Sequence, residues 1–113
     1  MKAFAVALGI GFGALAGTGA VWAQASGAQR DLEICKMLER YATLTMSSRQ
    51  NGVAMSVLID RIRGSDVAAK ILRVLVAEAY DVPLYSTGAA QERAVAEYAN
   101  KAFSGCYRDL VNK

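Results

Sequence analysis

The segment Asp31–Gly52, DLEICKMLERYATLTMSSRQNG, decides the fold class. Its apolar side chains at Leu32, Cys35, Leu38, Ala42 and Thr45–Met46 recur at the spacing that aligns side chains along one face of an α-helix. Asp31 and Glu33 fall in the first turn and Arg49 in the last, as the helix dipole favours. Asn51-Gly52 then ends the run, because a glycine just past a helix takes the left-handed conformation that closes it. The pattern predicts a helix over about residues 30–50.

Downstream the same logic repeats. Ser56 is expected to cap a short helix running to Ile62 or Arg63, closed by Gly64. Ser65-Asp66 opens a third helix that ends at Asp81-Val82-Pro83, since proline disfavours helical geometry at the residue before it. The spacing assigns Val67, Ile71, Val74, Leu75 and Ala79 to the inner face of this helix, and its almost wholly apolar run makes it the most buried element. Ser86 or Thr87 caps a last helix over roughly 88–111, with Ala94, Val95, Tyr98, Ala102, Cys106 and Leu110 inward. Gly105 is expected to ease close approach of the first helix. No stretch alternates with period two for long enough to make a sheet. The expected fold is all-α, a small bundle of three to four helices.

The beginning of the chain reads differently. Met1-Lys2 is followed by an uncharged, glycine- and alanine-rich apolar stretch that runs to Arg30. One cation, an apolar run and the small-residue pattern Ala23-Gln24-Ala25 have the form of a secretory signal peptide. Cleavage after Ala25 would leave Ser26–Lys113 as a single helical domain; a second possible cut follows Ala23. The alternative is an anchor in the inner membrane through residues 3–23, just long enough for a bilayer at about 20 residues. Against an anchor stand the modest apolar density and the lack of a basic cluster on the far side. The expected location is periplasmic or secreted.

In an oxidising compartment two cysteines, Cys35 and Cys106, read first as a disulfide joining the first and last helices. Such a bridge suits a domain whose core is limited by its size. A catalytic or redox role would need a nearby base or C-x-x-C spacing, and the 113-residue chain contains no histidine. That absence also removes Ser-His-Asp catalysis and the usual zinc ligands. The Gly-x-Gly repeats at Gly9, Gly11 and Gly13 belong to the signal segment, so they carry no dinucleotide reading. A net charge of +3, which includes Lys2, is too mild for a nucleic-acid partner. Acidic residues alternate with basic ones along the helices and do not converge as a catalytic pair. The expectations are therefore no enzyme, no cofactor, no metal and no nucleic acid, with a protein partner in the periplasm.

The features left over cluster near the end of the first helix. Arg49, Gln50 and Asn51 make a polar patch in which Arg49 could grip a carboxylate or phosphate; the structural alternative is a helix end with a dipole-matched cation. Met46 and Met55 are adaptable apolar side chains that could line a partner groove, and Tyr85 could anchor an interface. Together these six form the expected interaction surface.

The stretch Met46-Ser-Ser-Arg-Gln-Asn-Gly-Val-Ala-Met-Ser56, with Cys35 and Tyr41-Ala42 before it, resembles an uncharacterised group of small exported helical proteins of proteobacteria and their phages. In that group an Arg-Gln-x-Gly turn is followed by Ala-Tyr near the end of a later helix, matched here by Ala79-Tyr80 with Pro83 and Tyr85 behind it, and by a second cysteine near the C-terminus, matched by Cys106. The resemblance implies export, a helical fold and a Cys35–Cys106 bridge, and no activity. The sequence thus reads as an exported, non-catalytic binding module. A periplasmic inhibitor or immunity-type protein and a small holdase chaperone are the alternatives.

Overall fold

The computed structural model describes residues 27–112, and these form helices and connectors only. Helix α1 covers residues 27–50, α2 Met55–Arg61, α3 Val67–Tyr80 and α4 Gly88–Val111. The all-α expectation is met. The expected signal segment 1–25 and its cleavage point lie outside the described residues. The chain divides between Glu33 and Ile34, and the core described below belongs to the second unit. Among the described residues no helix is long and apolar enough to cross a membrane.

The helix ends follow from local chemistry. Gly52, at φ +82°, lets the chain leave α1 through a paired closure: Val53 N–H donates to Ser48 C=O at 3.0 Å and Gly52 N–H to Arg49 C=O at 3.1 Å. The Asp66 carboxylate accepts from Ala69 N–H at 3.0 Å and starts α3. Thr87 does the same for α4 through Ala90 N–H at 3.2 Å. α2 departs from expectation. It begins after Ala54, without a side-chain cap, so Ser56 lies inside the first turn of the helix. α1 also begins earlier than expected and is already helical at residue 27.

Two apolar clusters make the core. Ala42 and Met46 of α1, Ala79 of α3, and Ala94 and Tyr98 of α4 form one, where small side chains let three helices meet. Leu58 and Ile62, from α2 and its end, pack with Ala69 and Val76 of α3 in the other, against Tyr41. Tyr80 touches both clusters. Cys35 and Cys106 are joined, with Cα atoms 5.4 Å apart, which ties α1 to α4. The bridge expected from the cysteine count is present.

The inner face of α3 is only partly the one periodicity selected: Ala79 is buried and Leu75 packs against the first cluster, as expected. Ala69, Leu72, Val76 and Ala79 point inward, whereas Val67, Ile71 and Val74 are exposed, Val67 by 72%. A helix that is apolar nearly all round gives its moment no clear direction, and the small alanines pack closest to the neighbouring helices. Gly105 is corrected as well. A side chain built there would meet nothing within 4 Å, so it marks no close approach.

Candidate functional site

The turn that ends α1 is tied to the connector between α3 and α4 by several side-chain hydrogen bonds. Gln50 is only 4% exposed. Its amide nitrogen donates to Pro83 C=O at 2.8 Å, and its amide oxygen accepts from Tyr85 N–H at 2.9 Å. Arg49 Nε donates to Val82 C=O at 2.9 Å, and its guanidinium lies 5.2 Å from the centre of the Tyr80 ring. The Tyr80 hydroxyl donates in turn to Val53 C=O at 2.6 Å. Gln91, from α4, donates to Tyr85 C=O at 2.7 Å. Val82 N–H still donates to Ala79 C=O of α3 at 3.1 Å, and these side chains partner other backbone groups of the connector 82–85. The Arg-Gln-x-Gly turn is thus a clamp that fixes the path from α3 to α4.

This geometry revises the expected interaction surface. Met46 is 0% exposed and Gln50 nearly so, and each lies at the base of a depression, Met46 with Tyr85 and Gln50 with Asn51. Arg49 is half-buried and turned onto Val82 and Tyr80. Asn51, Met55 and Tyr85 are exposed. They are not gathered into one site: Asn51 lines a shallow depression with Ser47, Gln91 and Glu92, while Tyr85 lines another with Arg93, Glu97 and Lys101. Met55 lines neither.

A different feature stands out, a groove of about 560 Å³ between α1, α2 and α3. Tyr41 and Leu44 of α1, Leu58 and Ile62 at α2, and Leu72 of α3 give it an apolar lining. Arg61 and Arg63, both exposed, line it too. Asp66 also belongs to its wall, with Oδ1 accepting from Ala69 N–H at the start of α3 and its negative charge facing the same groove as the two arginines. Burial raises the Tyr41 hydroxyl above its ordinary pKa, partly offset by the hydrogen bond with Thr45, so this phenol stays neutral. Leu44 is 66% exposed and lines the same groove as Arg61 and Arg63. The signal for this groove was present in the sequence. Ile34, Met37, Tyr41 and Leu44 make a second apolar stripe on α1 beside the one that builds the core.

Comparison with known proteins finds no matching family model, no similar curated protein and no similar solved structure. The geometry defines the class by itself: a disulfide-stapled four-helix domain with an open, basic-rimmed apolar groove.

Proposed function

We propose that the protein is an exported, non-catalytic binding module that holds an amphipathic, acidic segment of a protein partner in the groove between α1, α2 and α3. The observation that carries this reading is the pairing of an exposed apolar lining, led by Leu44, with Arg61 and Arg63 at the same opening. A helix laid in such a groove buries its apolar stripe, and carboxylates flanking that stripe meet the two guanidinium groups. The clamp at Arg49 and Gln50 supports it indirectly, by tying the end of α1 to the connector that follows α3, which helps to hold two of the groove's helices together.

The test uses the processed protein, purified after expression of the full chain, with a model amphipathic peptide rich in glutamate and its lysine counterpart as probes. The glutamate peptide is expected to bind, to weaken with salt, and to be lost on Leu44→Asp and on Arg61→Glu/Arg63→Glu. Equal binding of the two peptides, or no effect of either variant, ends this reading. The same variants then serve as controls in affinity capture from periplasm. One partner held in fixed stoichiometry marks an inhibitor or immunity-type protein. A holdase is the second reading, favoured by the exposed Ile34, Met37 and Leu44 on one stripe, and it would retain unrelated unfolded clients.

A further inference from the structure

The outward face of α3 is largely apolar, with Val67, Ile71 and Val74 exposed on it and Leu75 at its edge packed against the core. Val67 and Val74 are 72% and 54% exposed, and with Lys70, Ile71 and Leu75 they line a depression of about 280 Å³. None of these side chains lines the groove between α1, α2 and α3, so the two surfaces are independent. Val74 stands near the middle of the face. Lys70 lies four residues before it and Glu78 four residues after it, both exposed.

That arrangement is self-complementary. Four residues span about 6 Å of helix. Two copies of α3 laid antiparallel about a two-fold axis at Val74 therefore set each Lys70 level with the Glu78 of the second copy, and do so twice. A parallel pairing would set lysine beside lysine and glutamate beside glutamate. In the antiparallel pair Ile71 and Val74 lie between the two charge pairs, Val67 lies outside them, and the charges fix the register. We propose that this face joins two copies of the chain into an antiparallel dimer through α3, leaving each groove open. The patch is small, so the association is of the weak, reversible kind typical of contacts below about 1,200 Å².

Sedimentation equilibrium of the processed protein over a wide range of concentration tests this. The expected result is a monomer–dimer equilibrium that Val74→Asp abolishes, with the circular dichroism spectrum unchanged because the side chain is exposed. Lys70→Glu should weaken association by about tenfold, the effect of losing close charge pairs across an interface. The exchange Lys70→Glu/Glu78→Lys should restore it, and Leu44→Asp should leave it as it was. A monomer at every concentration overturns the proposal, whatever else is then found to bind α3. Failure of the charge exchange to restore association overturns it too, as does loss of the dimer in Leu44→Asp. A dimer of wild-type protein with an empty groove would leave this inference standing and remove only the peptide-binding one.

Discussion

Gln50 shows how a single side chain can organise a loop. Both halves of its amide are satisfied by the connector 33 and 35 residues away in sequence. Gln50→Ala leaves Pro83 C=O and Tyr85 N–H to find other partners, and should cost about 2–3 kcal/mol, measurable as a shift of the urea midpoint. Tyr98 gives a pH-dependent counterpart. Its hydroxyl donates to Leu75 C=O, and burial, with Glu78 nearby, pushes its pKa up to about 12 from 10.0. The unfolded chain therefore releases this proton first. Between about pH 10 and 12 it binds fewer protons than the folded one, so the tyrosine's contribution, complete below pH 10, is lost as pH rises, by up to about 2 kcal/mol. Burial raises Tyr41 and Tyr80 as well, so they act in the same direction. Tyr98→Phe should flatten the alkaline limb of a stability–pH profile, at a cost near neutrality of about 1 kcal/mol for the lost hydrogen bond. An alkaline limb as steep as that of the wild type would refute the assignment to Tyr98. The burial of Gln50 was not legible in the sequence. A glutamine at a helix end is ordinarily solvated, and nothing local shows that a connector more than thirty residues on will return beside it.

At the scale of elements, boundaries were more legible than faces. Asp66 and Pro83 bracket α3 because each acts on the backbone next to it, through a cap in one case and a steric restriction in the other. Which side of α3 turns inward depends on partners far along the chain, and an apolar run such as Ile71–Val76 offers no contrast to choose by. The candidate groove was half legible: the second stripe on α1 is in the sequence, but the basic rim arises only where α2 ends against α1 and α3. The glycines make the same point in opposite directions. Gly52 sits at φ +82°, so Gly52→Ala strains the closure of α1 and should destabilise by about 1 kcal/mol. Gly105 lies inside α4 with open space around it, so Gly105→Ala should stabilise by about 0.5–1 kcal/mol through a less disordered unfolded chain. Thermal unfolding of the two variants should move in opposite senses. A fall in both would mean that Gly105 has a packing role after all.

The whole molecule depends on its one covalent crosslink to a degree set by its size. Among the described residues, five of the eleven buried apolar ones are alanines, with Met46, Leu58, Ile62, Val76 and Tyr98 the larger contributors, so the apolar burial per helix is modest. Closing a loop across a separation of 71 residues removes unfolded-chain entropy worth about 4 kcal/mol. Small domains have roughly 5–15 kcal/mol in all, so a bridge of that size decides whether the fold is comfortably stable or marginal. This connects architecture to the proposed export, because the bridge persists in an oxidising compartment and not in a reducing one. The expected outcome has two parts. Protein recovered from the periplasm after expression of the full chain should have the mass of a product beginning at Ser26, with no thiol open to labelling until it is denatured and reduced. The same protein reduced before measurement should lose about 4 kcal/mol in a denaturant titration, with its remaining helicity falling most near α1 and α4, the helices that the bridge joins. An intact N-terminus on the recovered protein would favour the anchor over the cleaved signal. Equal stability before and after reduction would show that the alanine-rich contacts of α1, α3 and α4 hold the domain by themselves, and the link drawn here between export and fold would fail.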